Sequence, residues 1–225
     1  MLDRNDNFGY ITFFENNIVL TSVRRGLTLM IPPLLIGSFA LIIISFPVQA
    51  YQEFMKMIFG DHWVDVFQYI RDATFNIMSL LMVLCISYSY ASEANRKNHK
   101  HSVDPIMAGI VSLCSFIALS GMSNSQFSIS KFGPLGVFYA ILVAVSASYL
   151  FIKLCSVKIL NIKTYTDAAD STFNNALSSI FPAAITILLF AAVNQFLIAV
   201  WGVTDLQIVL ASFFKGLFNQ MGHSL

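Results

Sequence analysis

Residues 26–48 read GLTLMIPPLLIGSFALIIISFPV and contain no charged side chain. At a rise of about 1.5 Å per residue, a helix of this length crosses a hydrocarbon core of about 30 Å. A soluble helix would carry charges on the face turned toward water. The stretch therefore predicts a membrane-spanning helix. Pro32 and Pro33 lie within it and predict a kinked helix that packs inside a bundle.

The composition of the whole chain also indicates an integral membrane protein. Of the 225 residues, 56% are hydrophobic and only 11% are charged, whereas soluble domains carry charge at about a quarter of positions. The net charge of +1 gives no reason to expect a nucleic-acid partner. Cys85, Cys114 and Cys155 show no paired spacing, so we interpret them as small buried hydrophobes.

Further apolar runs predict additional spans after the first one. They cover residues 73–91, 106–122, 132–152 and 180–201. Together with 26–48 they predict an all-α integral membrane protein, a bundle of about five transmembrane helices. The run 106–122 is short for a full crossing and rich in small residues, which predicts a short span surrounded by protein, with a re-entrant segment as the alternative.

Amphipathic segments flank these spans and predict helices lying in the membrane interface. Residues 1–25 and 206–225 mix aromatic and aliphatic side chains with charges. Residues 51–72 predict one or two such helices, split near Gly60, with Trp63 at headgroup depth. A cleaved signal peptide is not predicted, because the first apolar run is too long and follows a polar segment.

The distribution of Lys and Arg predicts the orientation of the bundle. Counts in the successive flanks alternate between high and low. Nine of the 13 Lys and Arg residues fall on the side of the N-terminus, namely Arg4, Arg24, Arg25, Arg96, Lys97, Lys100, Lys153, Lys158 and Lys163. Because basic flanks stay in the cytoplasm, we predict a cytoplasmic N-terminus and a multi-pass protein of the inner (cytoplasmic) membrane of a bacterium.

No catalytic, cofactor-binding or metal-binding site is predicted. The chain contains no Walker loop, GxSxG, HExxH or dinucleotide fingerprint. His62 is interpreted as a surface histidine, and His99 and His101 as part of a basic loop, residues 92–105. Polar groups within the spans predict hydrogen bonds between helices, with sugar binding as the alternative. They are Ser38, Ser45, Asn76, Ser79, Ser87, Tyr88, Ser89, Tyr90, Asn194 and Gln195.

Several stretches together resemble the membrane EIIC component of the bacterial phosphotransferase system (PTS), in its lactose/cellobiose branch. They occur in the order of that family, and they are GLTLMIPPLLIGSF (26–39), TFNIMSLLMVLCISYSYA (74–91), DPIMAGIVSLCSF (104–116) and FGPLGVFYAILVAVSASYLF (132–151). The resemblance spans nearly all of this chain but only the first half of such a transporter. It implies a homodimer whose first five helices form the interface, with a sugar-binding second half.

The sequence departs from the family pattern at two places. The proline-rich stretch before the fifth helix is reduced to Pro182, and the sugar-contacting histidine in a GIHG context is missing. Gly222-His223-Ser224 is not that motif, so no role is carried over to His223. The substrate-binding residues therefore stay unknown, and the phosphocysteine motif of an EIIB partner is likewise missing from these residues.

Three functions follow from these features. The first is the N-terminal, dimer-forming part of an EIIC sugar permease that works with an EIIB-type phosphocarrier. The second is an EIIC-like membrane sensor ahead of a cytoplasmic EAL-type cyclic-dinucleotide phosphodiesterase domain. The third is a stand-alone membrane scaffold. The sequence after Leu225 distinguishes them: further spans with a GIHG segment favour the permease, an EAL-type domain favours the sensor, and a natural stop at Leu225 favours the scaffold.

Overall fold

The computed structural model describes residues 17–97, 102–120, 132–157, 160 and 171–201. Within these ranges the chain forms helices and no strand, in agreement with the predicted all-α fold. A short 3-10 helix, Pro134–Gly136, leads into the seventh α-helix. The α-helices are α1 (Ile18–Leu29), α2 (Ile31–Ser45), α3 (Gln49–Phe59), α4 (Trp63–Asp72), α5 (Met78–Lys97), α6 (Pro105–Leu119), α7 (Val137–Cys155), α8 (Ser171–Ser178) and α9 (Ile180–Trp201).

Helix α5 is the centre of the bundle, because it packs against α1, α6 and α7. Val83 and Ile86 on this helix are fully buried, as are the small side chains of Ser79 and Ser87. Small residues allow helix backbones to approach closely. The core around α5 therefore combines large apolar side chains with serine and alanine.

The kink predicted for the first apolar run is confirmed, and it lies at Met30. Helices α1 and α2 meet there at an angle of 40°. Pro32 and Pro33 occupy the first turn of α2, where the N–H groups that they lack have no partner within the helix. The run 26–48 is consequently divided between the last turn of α1 and the whole of α2.

Two glycines mark where helices meet most closely. A Cβ added at Gly26 on α1 would lie 2.7 Å from the Cα of Ile86 on α5. A Cβ at Gly37 on α2 would collide with the side chains of Thr74 and Phe75, which follow α4. Because neither site has room for a methyl group, glycine is required at both crossings.

The segment 51–72 forms the pair of helices that was predicted, with the break at Gly60. Gly60 has a φ of 81°, a conformation that favours glycine. Lys56 and Asp61 pair across this turn, with 2.7 Å between Nζ and Oδ1. Trp63 is buried by Tyr51 and Phe67, whose rings meet its own edge-on, at centroid distances of 6.1 and 6.2 Å.

Some predicted boundaries and burials need correction. Helix α5 corresponds to the predicted span 73–91. It begins at Met78 and continues to Lys97, into the segment that was predicted as a loop. Helix α6 is not fully surrounded by the rest of the chain, since Ile106 and Ile110 are exposed. Cys114 on the same helix is also exposed, so its interpretation as a buried residue was wrong.

By length and composition, two described helices could each cross a membrane, Pro134–Cys155 and Ile180–Val200. The bent α1–α2 pair counts as a third if it forms one span, whereas α6 is a shorter apolar helix. The five-span topology therefore stays a prediction. Of the predicted interfacial segment 1–25, residues 18–25 belong to α1, and residues 1–16 lie outside the described residues, as does the segment 206–225.

Candidate functional site

A buried carboxylate near the C-terminal end of α5 connects this helix to Arg25 in the middle of α1. Glu93 is 5% exposed. Its Oε1 accepts from Arg96 Nη1 at 3.2 Å and pairs closely with Nη1 of Arg25. A buried charge is stable only when it is paired. Glu93 therefore holds Arg25 in a defined position against α5.

Glu93 was predicted to lie in a polar loop, and the structure corrects this. The helix continues past residue 92, so Glu93 extends the buried stripe of α5 by one more turn. A sequence signal for this was available, since Ile86, Tyr90 and Glu93 follow one another at helical spacing. The loop was predicted from the high charge of residues 92–105, without regard to this spacing.

A cavity of about 310 Å³ lies beside this ion pair, in the groove between α1 and α5. From α1 it is lined by Arg25, Thr28 and Leu29, and from α5 by Tyr88, Ser89 and Ser92. Residues three and four apart lie on one face of a helix, which explains why each set points into the same groove. The lining thus combines a guanidinium, four hydroxyl groups and one aliphatic side chain.

The end of α5 is fixed to the start of α6. Asn95 donates from Nδ2 to the carbonyl oxygen of Val103 at 2.7 Å, and its Oδ1 accepts from the backbone N–H of Val103 at 3.0 Å. Asp104 then caps α6 by accepting from the N–H of Ile106. These contacts hold Val103, just before α6, against the last turn of α5.

The predicted hydrogen bonds between helices are confirmed for several of the polar residues. Ser79 donates to the carbonyl oxygen of Phe132 at 2.6 Å, and Ser87 to that of Ala144 at 3.3 Å. Asn194 donates to the carbonyl oxygen of Ala118. Ser38 instead bonds within its own helix. Tyr88 and Ser89 line the cavity between α1 and α5.

The histidines do not form a site in the described part of the chain. His62 has a side chain that is 92% exposed and pairs with Asp65 at 2.9 Å, which confirms its interpretation as a surface histidine. His99, His101 and His223 lie outside the described residues. Among the described residues, no group of three or more His, Cys, Asp or Glu side chains is placed to hold a metal ion.

A second cavity, of about 360 Å³, lies between α3 and α4. Its lining is aromatic and aliphatic apart from His62, and consists of Met55, Phe59, His62, Trp63, Val66 and Phe67. Such a surface suits apolar chains rather than sugars, which need several hydrogen-bonding groups.

Comparison with known proteins identifies the family of this fold. The family described as "Phosphotransferase system, EIIC" matches residues 24–222. The lichenan permease IIC component of Bacillus subtilis (strain 168) is 32% identical over 146 residues, which cover 59% of this chain and 31% of that protein. The PTS system cellobiose-specific EIIC component of Geobacillus stearothermophilus is 30% identical over 149 residues, covering 60% and 32%.

A solved structure has the same fold. The transporter ChbC, the IIC component from the N,N'-diacetylchitobiose-specific phosphotransferase system, superposes with a TM-score of 0.82 at 23% identity. The match covers 96% of this chain and 51% of that chain. The chain spans about a third of the length of the curated relatives named above. Sequence and fold together show that this membrane protein belongs to the phosphotransferase system EIIC family.

Proposed function

We propose that this chain is the N-terminal membrane part of an EIIC sugar permease and forms the dimer scaffold on which sugar translocation depends. The observation that carries the proposal is the family match over residues 24–222 together with the fold shared with about half of a transporter. The relatives are named for lichenan, cellobiose and N,N'-diacetylchitobiose. We therefore expect a sugar of this kind as the substrate and an EIIB-type protein as the partner that phosphorylates it.

The packing of the bundle supports a scaffold role. Hydroxyl groups deep in the bundle bond to neighbouring helices, as in the pair Ser112–Ser148, whose oxygens lie 3.2 Å apart. Groups engaged in this way stabilise helix contacts and are not free to bind a sugar. We accordingly assign sugar binding to residues outside this chain.

The sugar assignment is tested by isothermal titration of cellobiose into the purified chain of residues 1–225. We expect no heat of binding, because the chain lacks the GIHG segment that carries the sugar-contacting histidine in the family pattern. The control is a full-length cellobiose-specific EIIC under the same conditions, which should bind. Saturable binding by the chain alone would show that the site lies within these residues.

The dimer is tested by the mass of the purified chain in a gentle detergent. We expect twice the chain mass of 25.0 kDa after subtraction of the detergent. The small residues of α6 and α7, such as Ala144 and Ser148, are buried within one chain and do not serve a contact between chains. Exposed apolar residues of α2, including Ile36 and Phe39, offer the alternative face. A monomer at all concentrations would contradict the proposal.

The proposed orientation places the N-terminus in the cytoplasm of a bacterial cell. The excess of Lys and Arg on that side supports it. The variants His62→Cys and Lys97→Cys, in a chain without other cysteines, test it. Both positions are exposed, so a maleimide can reach each of them, and the proposed topology puts them on opposite sides of the membrane. In intact cells a membrane-impermeant maleimide should label His62→Cys only. Labelling of Lys97→Cys before lysis would reverse the topology.

A further inference from the structure

The groove between α1 and α5 is open, and its largely apolar surface carries one guanidinium and several hydroxyl groups. Gly26 brings α1 against the backbone of Ile86, and the groove opens next to this close contact. Arg25 contributes a side chain that is 45% exposed, although Glu93 binds one of its nitrogens. A guanidinium has five N–H donors, so one ion pair leaves donors available for a second anion.

The other polar groups around the cavity are hydroxyls. Thr28 uses its hydrogen to bond the carbonyl oxygen of Arg24 at 2.9 Å. Ser89, Ser92 and Tyr88 complete the polar lining. An arginine combined with hydroxyl donors matches the oxygens of a phosphate, which accept several hydrogen bonds at once. No carboxylate lines the cavity, and the only acidic side chain that pairs with its arginine, among the described residues, is Glu93.

The surroundings of the groove indicate where the ligand comes from. Leu29 lines the cavity and is 50% exposed, and Leu27 and Ile31 nearby in the chain are exposed as well. In a membrane protein such a surface contacts acyl chains. Arg24 in the middle of α1 and Arg96 and Lys97 in the last turn of α5 are also exposed. A ligand that contacts both the basic residues and the apolar residues carries a negative headgroup and apolar chains.

We propose that this groove is a binding site for a phospholipid with an anionic headgroup. Arg25 holds the phosphodiester, Ser89, Ser92 and Tyr88 donate to its oxygens, and the acyl chains lie along Leu29 and Ile31. Basic pockets between transmembrane helices are suited to such headgroups. Lipid binding at this site does not depend on sugar transport, so an experiment that contradicts one proposal leaves the other unaffected.

The test is native mass spectrometry of the purified chain, titrated with phosphatidylglycerol or phosphatidylcholine. We expect phosphatidylglycerol to bind with the higher affinity. The variant Arg25→Gln should weaken its binding about tenfold, because a charge-assisted hydrogen bond is lost. Arg96→Gln is the matched control, since Arg96 also pairs with Glu93 but does not line the cavity. It should leave the affinity nearly unchanged.

A second pair of variants tests the cavity without changing any charge. Ser92→Leu fills the groove and should abolish the preference for phosphatidylglycerol. Ser146→Leu, on an exposed position of α7, should not. Equal affinity for the two lipids, or an equal effect of Arg25→Gln and Arg96→Gln, would overturn the proposal. Displacement of the lipid by millimolar inorganic phosphate would also overturn it and would assign the site to a soluble anion.

Discussion

Helices α7 and α9 are equally apolar but occupy different environments in the same protein. Each contains a membrane-compatible stretch with a mean hydropathy of 2.2, yet 44% of that stretch is buried in α7 and only 6% in α9. The difference lies in the neighbours of each helix, because α7 packs against both α5 and α6, whereas α9 packs mainly against α6. One face of α7 carries Ala140, Ala144, Ala147 and Ser148, whereas α9 presents Leu188, Leu189, Val193 and Phe196 to its surroundings.

This comparison separates entry into the membrane from packing within it. Lipid chains are as apolar as leucine, so the hydrophobic effect does not draw helices together inside the bilayer. Small residues do so by allowing close approach and by placing hydroxyls near carbonyl groups. Hydropathy therefore predicts that both helices enter the membrane. Which of them is enclosed by protein depends on the helices that pack against it, since α9 leaves even Ala191 and Ala192 exposed.

The largest expected effect comes from removing one phenylalanine from each helix. Phe151 on α7 is fully buried, and Phe196 on α9 is 62% exposed. Phe151→Ala should lower the free energy of unfolding by about 3–5 kcal/mol, because it leaves a cavity. Phe196→Ala should change it by less than about 1 kcal/mol. Unfolding titrations in mixed detergent and SDS micelles measure both values, and equal losses would refute the comparison.

Glycines at the helix contacts of α5 give the next largest expected effect. Gly26→Ala forces a methyl group against the backbone of Ile86 and should cost about 1–3 kcal/mol. The matched variant is Gly109→Ala on α6, whose nearest neighbour, the carbonyl oxygen of Leu84, would lie 3.5 Å away. It should be tolerated. The same unfolding titration checks both, and a greater loss in Gly109→Ala would contradict the packing described for α1.

A smaller effect is expected where α9 touches the bundle. Asn194 donates to Ala118 on α6 across 3.3 Å. Asn194→Leu should destabilise the chain by about 0.6 kcal/mol, the average for a hydrogen bond between membrane helices. The neighbouring residue Gln195 is exposed, so Gln195→Leu serves as the control and should have no effect. Identical behaviour of the two variants would show that α9 is not held at Asn194.

The smallest effect belongs to an exposed ion pair outside the spans. Lys56 lowers the pKa of the Asp61 carboxyl, chiefly by donating a hydrogen bond to it. A lowered folded pKa means that the pair stabilises the α3–α4 turn above the ordinary pKa of 3.8 and stops doing so as the pH falls through the lowered value. NMR titration of the Asp61 carboxyl should give a midpoint below 3.8. In the variant Lys56→Gln the midpoint should rise back toward 3.8.

Much of the fold can be predicted from the apolar runs and turn residues of the sequence. The run 180–201 coincides with α9, and the break at Gly60 falls where it was predicted. The candidate site was harder to predict. Glu93 and Arg25 were treated as flanking charges, and nothing local indicates that they pair, since 68 positions separate them in the printed sequence. Their contact depends on the crossing of α1 and α5.

The sequence by itself determined that this chain enters a membrane and which segments are apolar enough to do so, because transfer into lipid depends on the composition of each segment alone. Only the tertiary structure decided that α5 is the centre, that α9 lies at the edge, and that Arg25 pairs with Glu93 beside an open groove. Those features depend on which helix faces approach each other. That approach is set by glycine and serine at positions such as Gly26 and Ser87, whose effect exists only once a partner helix is present.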